Sequence, residues 1–212
     1  MILTMRLDSL KGTPDRIGRY WCTFSDGTRL GLYRQTVEDF GLYTGKEFSD
    51  EEFQKLRSAA GQMSAKMRAV RIVSASGVSK RLLEERLIRK GEDPDQAKEA
   101  VAWMADMNLV DDRATAEQVV RSCIAKGYGV ARAKQALYEK RIPKEFWDDA
   151  LEDYPDQAEK IETFLRARLD ADSDEKDIRR AIDALLRRGH SYSTIRRVLT
   201  ELSFDIEDFI EE

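Results

Sequence analysis

AKGYGVARAKQAL, residues 125–137, decides the fold because it is one of three related stretches. Laid without gaps over ASGVSKRLLEERL (75–87) and RRGHSYSTIRRVL (187–199), it keeps three columns. Gly77, Gly127 and Gly189 coincide, then Leu83, Ala133 and Ile195, then Leu87, Leu137 and Leu199. Upstream, Val70, Val120 and Ile182 align, followed by Val73, Cys123 and Leu185. Self-similarity at a long period is the signature of a repeat architecture.

The stretch before each glycine reads as a helix. Ala116, Val119, Val120, Cys123 and Ile124 form an i, i+3, i+4, i+7, i+8 stripe, and so do Ile178, Ala181, Ile182, Leu185 and Leu186. Such a stripe is the face an amphipathic helix buries. The first copy is looser, with Lys66 where its stripe would start. Each glycine is expected to end the helix in the left-handed conformation that costs glycine least. A second helix then runs through the Leu, Ala or Ile columns.

A third helix follows in each copy, announced by Asp93-Pro94, by Pro143 before Lys144-Glu145, and by Asp205 before Ile206. The expected buried faces are Ala97, Ala100, Val101 and Met104, then Phe146, Trp147, Ala150 and Leu151, then Ile206, Phe209 and Ile210. Between the second and third copies lies an extra amphipathic segment from Pro155, with Ala158, Ile161, Phe164 and Leu165 facing inward.

The first 34 residues differ in kind. ILTMRL and RYWCTFSDGTRLGLY are rich in β-favouring types, and Asp26-Gly27 is a strong hairpin signal. VEDF followed by Gly41 predicts a short helix with a glycine stop, and Ser49 to Glu52 is a capping box opening the next one. No strand is expected after that point. The fold class is therefore mainly α: three tandem three-helix repeats in an elongated curved rod, with a small N-terminal β-hairpin element. The expected divisions are 1–60 for the hairpin and short helices, 61–110 for repeat 1, 111–154 for repeat 2, and 155–212 for the linking helix and repeat 3.

Composition excludes several classes. Of 212 residues, 36% are charged and 42% hydrophobic, which suits a water-soluble helical protein. The chain lacks an apolar run of membrane-spanning length, and its start lacks the features of a signal peptide, so a cytoplasmic, membrane-free location is expected. A net charge of −4 argues against a protein held on DNA by an overall basic field. Two cysteines and one histidine cannot complete the usual four-ligand zinc set, so Cys22 and Cys123 are read as reduced, buried hydrophobes.

Catalytic motifs are missing. GLYTGKE (41–47) has one residue too few between its glycines for a phosphate-binding loop, and Glu47 where a hydroxyl is needed. A hydrolytic triad would have to be built on His190 alone. Asp111-Asp112 reads as an N-cap rather than a proton-sharing pair. Trp21, Trp103 and Trp147 read as core rather than as base-stacking platforms. Tyr128 and His190 share the column after the glycine, where an aromatic covers the corner. With a reference pKa near 6.5, His190 would make its corner mildly pH-sensitive. No enzyme activity and no cofactor or metal are expected.

Charge is clustered. Basic pairs recur at Lys80-Arg81, Arg89-Lys90, Arg179-Arg180, Arg187-Arg188 and Arg196-Arg197, while acids gather after Asp205. Lys80, Arg81, Arg132, Lys134, Arg196 and Arg197 fall near the exposed sides of the second helices. Their recurrence suggests one contact face, to which Arg86, Arg89, Lys90, Arg187 and Arg188 add. Gly77, Gly127, Gly189, Tyr128 and His190 are assigned to the joints between helices.

Several elements carry a family likeness: RKG at 89–91, LVDD at 109–112, RSCIAKGYGVARAKQAL at 121–137 and LLRRGHSYSTIRRVL at 185–199. Together with the DG hairpin and the S-x-x-E helix, they resemble the bacterial RecX regulators. The resemblance implies three tandem three-helix repeats, no catalytic activity, and binding in the groove of the RecA–DNA filament as a monomer. It also implies modulation, expected to be inhibition, of ATP hydrolysis, filament growth and strand exchange in recombination, DNA repair and the SOS response. Two positions depart from the family pattern: Arg113, Ala114 and Thr115 replace an acid, a base and an aromatic after LVDD, and His190 replaces an aromatic after RRG. The alternative reading is a direct DNA-binding protein using helix-turn-helix-like units, with weak single- or double-stranded binding as its minimal form.

Overall fold

The computed structural model describes residues 5–170 and 172–204. Contacts divide the chain into two compact units, Met1–Val110 and Asp111–Glu212.

The first unit opens with strands β1 (Met5–Leu10), β2 (Arg19–Phe24) and β3 (Arg29–Tyr33). Asp26-Gly27 turns the chain as expected: Gly27 takes φ +86°, and the Asp26 carboxylate accepts from the Thr28 amide at 2.8 Å. Helix α1 (Arg34–Asp39) and a two-residue strand β4 (Glu47–Phe48) follow. β4 pairs antiparallel with β1, so the sheet has four strands in the order β3-β2-β1-β4, one more than ILTMRL and the two arms of the Asp26-Gly27 hairpin supply. Two residues are too few to show an alternating pattern, so the sequence carries no signal for β4.

GLYTGKE forms the turn into β4, and its lysine has structural work. The Lys46 ammonium caps α1 by donating to the Phe40 carbonyl and, at 3.4 Å, to that of Gly41. One sheet face buries Leu7, Cys22, Phe24, Leu32 and Phe48 against Phe53 and Leu56 of the next helix. Phe24 and Phe53 meet edge to face at 4.8 Å, a favoured aromatic geometry.

That helix, α2, runs unbroken from Asp50 to Ala75. Ser49 and Glu52 form the reciprocal capping box at its start. No element boundary falls at residue 60, where the division between hairpin region and repeat 1 was expected. The capping box sets the start, and Gly61, close against the side chain of Gln96, is accommodated inside the helix. α3 (Lys80–Arg89) and α4 (Pro94–Asp106) complete the first copy of the repeat. Ala65 and Ala69 of α2 pack with Leu83, Leu87, Ala97, Ala100, Val101 and Met104. Lys66 is tolerated beside them because its ammonium stands 5.5 Å over the ring of Trp103.

The second unit holds α5 (Asp112–Ala125), α6 (Val130–Glu139), a 3₁₀ turn (Lys144–Phe146) leading into α7 (Trp147–Leu151), α8 (Ala158–Arg166), α9 (Glu175–Arg187) and α10 (Tyr192–Glu201). Asp111 caps α5, accepting from the amides of Arg113 and Ala114. The repeat columns are core: Leu83, Ala133 and Ile195, and likewise Leu87, Leu137 and Leu199, are at most 1% exposed. Leu186, assigned to the buried stripe, is 41% exposed, because the stripe's last position drifts off the face. The third helix expected after Asp205, with Ile206, Phe209 and Ile210, lies outside the described residues.

Candidate contact surfaces

The second and third copies of the repeat meet at their glycine corners. Gly127 and Gly189 take positive φ, +66° and +85°, as the helix ends require. Gly77 does not join them, for α2 leaves through an extended Ser76 at φ −167°. The first joint is thus built differently from the other two. The αL corner is unnecessary there because the chain stays extended through Ser76 before Ser79 caps α3.

α6 has no side-chain cap. The free amides at its start are satisfied by the other corner: Gly129 N–H donates to the Arg188 carbonyl at 3.0 Å, and Ala131 N–H to that of Gly189 at 3.3 Å. Only glycine admits this approach. A Cβ on Gly129 would stand 2.0 Å from the Gly189 oxygen, and one on Gly189 would stand 2.2 Å from the Arg132 nitrogen. Gly129 was not singled out from sequence; its place in KGYG, two residues after the aligned glycine, was the available signal.

His190 closes the joint. Its side chain is buried, and Nε2 stands 3.0 Å from the Gly127 carbonyl oxygen across 63 residues of sequence. A carbonyl only accepts, so Nε2 carries the proton. The ring therefore ties the third copy to the second instead of merely covering its own corner. Burial holds its pKa below the usual 6.5 and the Arg188 charge adds to that, while the bond to Gly127 opposes it. Tyr128 occupies the equivalent position, and its carbonyl accepts from the Tyr154 hydroxyl at 2.7 Å.

The predicted basic residues separate into groups. Arg132 is turned to Glu139 at 3.3 Å, Arg197 pairs with Asp156 at 2.5 Å, and Arg188 lies over Phe164 at 4.7 Å. These three are engaged within their own unit. Lys134 is exposed beside a hollow shared with Asp156, Ser191 and Thr194, and Arg187 and Arg196 are exposed. In the first unit, Lys80 and Arg81 are exposed, with Arg81 at 3.3 Å from Glu85. Arg86, Arg89 and Lys90 converge at the end of α3 with two residues that sequence reasoning missed, Arg68 and Arg71. The α2 arginines gave no pairwise signal, because their placement depends on how α2 packs against α3.

The departures from the family pattern are absorbed locally. Arg113 pairs with Asp149 at 2.6 Å, and Thr115 is buried with its hydroxyl donating to the Asp111 carbonyl at 2.6 Å. Trp21 lies on the sheet's outer face, not in the core. Its indole N–H donates to Asp15 at 3.1 Å, and the Arg19 guanidinium lies 4.8 Å over its ring. Arg19 holds the Asp15 carboxyl down to about 2, chiefly through its backbone amide. Cys22 and Cys123 are free and buried, and burial pushes the Cys22 thiol up to about 11.

Among the described residues no cluster of three or more metal-ligating side chains occurs, and no helix is long and apolar enough to cross a membrane.

Comparison with known proteins agrees with this architecture. The sequence model described as RecX, second three-helix domain, matches residues 111–151. The regulatory protein RecX of Chlorobaculum tepidum is 30% identical over 140 residues, covering 64% of this chain and 86% of that protein. That of Clostridioides difficile is 25% identical over 98% of this chain and the whole of its own length. A crystal structure of regulatory protein RecX superposes with a TM-score of 0.61 over 92% of this chain and 99% of the other, a likeness of fold at 21% identity. RecX from Lactobacillus salivarius gives 0.60 over 68% and 98%, at 25% identity. With its glycine-cornered repeats and small N-terminal sheet, the chain belongs to the RecX family of regulatory proteins.

Proposed function

We propose that this chain is a noncatalytic, cytoplasmic regulator of the recombinase RecA. It binds as a monomer in the groove of the RecA–DNA filament and inhibits ATP hydrolysis, filament growth and strand exchange, and so acts in recombination, DNA repair and the SOS response. Family membership across nearly the whole chain carries this reading. The buried, backbone-bonded His190 supports the noncatalytic part, since the one imidazole in the chain is committed to a joint. The contacts we assign are the exposed Lys80, Arg81, Lys134, Arg187 and Arg196, with Arg132 and Arg197 joining once released from Glu139 and Asp156.

The test is RecA's DNA-dependent ATP hydrolysis and strand exchange with this protein in stoichiometric excess. Inhibition is expected, weakened in Arg196→Ala/Arg197→Ala and Arg132→Ala/Lys134→Ala. Unchanged RecA activity overturns the regulatory reading, and full inhibition by both doubles removes the contact face.

Direct nucleic-acid contact is the second reading, favoured by the cations gathered at the end of α3. It predicts tight DNA binding without RecA and a steep loss of affinity with salt.

A further inference from the structure

Arginines and carboxylates neutralise one another over much of the described surface. Arg81 with Glu85, Arg121 with Glu117, Arg166 with Glu162 and Arg180 with Asp177 are pairs within single helices. At the C-terminal end of α3 this pattern stops. A hollow of about 730 Å³ opens there against the second half of α2, and its wall carries Arg68, Arg71, Arg86, Arg89 and Lys90 without a single carboxylate.

Only one of these charges is met. Arg68 Nε lies 2.6 Å from the buried Glu92, and its Nη1 donates to the Lys90 carbonyl at 3.0 Å. Arg71 donates to a neutral group, the Tyr33 hydroxyl, at 3.1 Å. Among the described residues no carboxylate pairs with Arg71, Arg86, Arg89 or Lys90, so four positive charges face one concavity. The helix dipole accounts for part of this, since Arg86 and Arg89 sit in the last turn of α3, where cations are favoured. A helix end carries only about half a charge, and Arg71 belongs to another helix. Solvent and salt screen the remainder where it is exposed, and an anion seated in the hollow would neutralise it directly.

The wall also defines the kind of anion. Guanidinium forks match phosphate oxygens two at a time. Apolar surface from Ile17, Ile72 and Ala75 lies among the cations, suited to sugar or base rather than to a bare inorganic ion. A volume within the range of small-ligand sites admits adjacent phosphate groups together.

We propose that the hollow between α2 and α3 binds a ligand carrying a run of adjacent phosphates, held by Arg71, Arg86, Arg89 and Lys90. A nucleoside triphosphate and a nucleic-acid strand both present that chemistry. The inference deepens the reading of direct nucleic-acid contact and is independent of any action on RecA; binding of the triphosphate without the oligonucleotide would keep the site and remove that reading.

The experiment titrates the full chain with fluorescent adenosine triphosphate and, separately, with a fluorescent oligothymidylate at low salt. Saturable binding of either supports the site, and the tighter of the two identifies its source. Arg86→Ala/Arg89→Ala should weaken that binding at least about tenfold, while Arg121→Ala/Arg166→Ala, which removes the same charge elsewhere, should change it less than about twofold. Thermal melts show that both doubles are folded; if the first is not, Arg89→Glu alone serves. No saturable binding of either ligand, equal loss in both doubles, or equally tight binding of an oligoglutamate peptide overturns the proposal.

Discussion

Gly129 and Gly189 face each other backbone to backbone, so close that a Cβ on the first would stand 2.0 Å from the carbonyl oxygen of the second. Two helical copies are locked by main-chain hydrogen bonds at this point, with no side chain between them. Alanine at either position must push the corners apart.

Gly129→Ala and Gly189→Ala are each expected to destabilise the second unit by about 1–3 kcal/mol, the usual cost of forced overpacking, with Gly189 also losing its favourable positive φ. Gly12→Ala is the control, since its Cβ would meet nothing within 4 Å. Thermal or urea unfolding measures the difference, and equal midpoints in all three variants would contradict the joint.

His190 makes the joint pH-dependent, with a definite sign. Its pKa is lower in the folded protein than the usual 6.5, so the unfolded chain takes up the proton first. Its contribution is present above about pH 6.5 and is lost as pH falls through the depressed folded value. In His190→Phe the stability curve of the second unit should flatten below about pH 6.5, whereas in the wild type it should fall. Parallel curves for the two proteins would remove the histidine from the account.

Glu92 is buried, accepting from Ser64 at 3.0 Å and meeting Arg68 at 2.6 Å. Glu92→Ala leaves the Arg68 charge partly buried without its counter-ion, and a loss of about 2–4 kcal/mol in the first unit is expected. Chemical denaturation of the variant checks it; a loss below about 0.5 kcal/mol would show that water replaces the carboxylate freely.

Burial raises both thiols, Cys22 to about 11. Since the thiolate is the reactive form, iodoacetamide at pH 8 should label neither cysteine in the native protein and both in denaturant. Mass spectrometry after a timed quench reads the outcome, and rapid native labelling of Cys22 would place it nearer solvent than the structure does.

Among the described residues the sequence by itself determined most of the helices and their buried faces, Leu186 excepted. A three-point match around Gly77, Gly127 and Gly189 located the repeats, because burying a helix stripe constrains residues at fixed spacing. Leu83, Ala133 and Ile195 are core for that reason. Caps at Ser49, Asp93 and Asp111 were equally legible, since a cap acts within three residues of itself.

Tertiary structure alone decided the rest. Gly77 carries the same letter as Gly127 but not the same conformation, because the exit from α2 is extended at Ser76. His190 found the Gly127 carbonyl, Arg197 found Asp156, and Arg71 and Arg86 came to share one hollow. The physical reason is range. Helix propensity, capping and amphipathic spacing act over a few residues and are written in order along the chain, whereas charge pairing and backbone contact depend on distances in space that only the packed helices set.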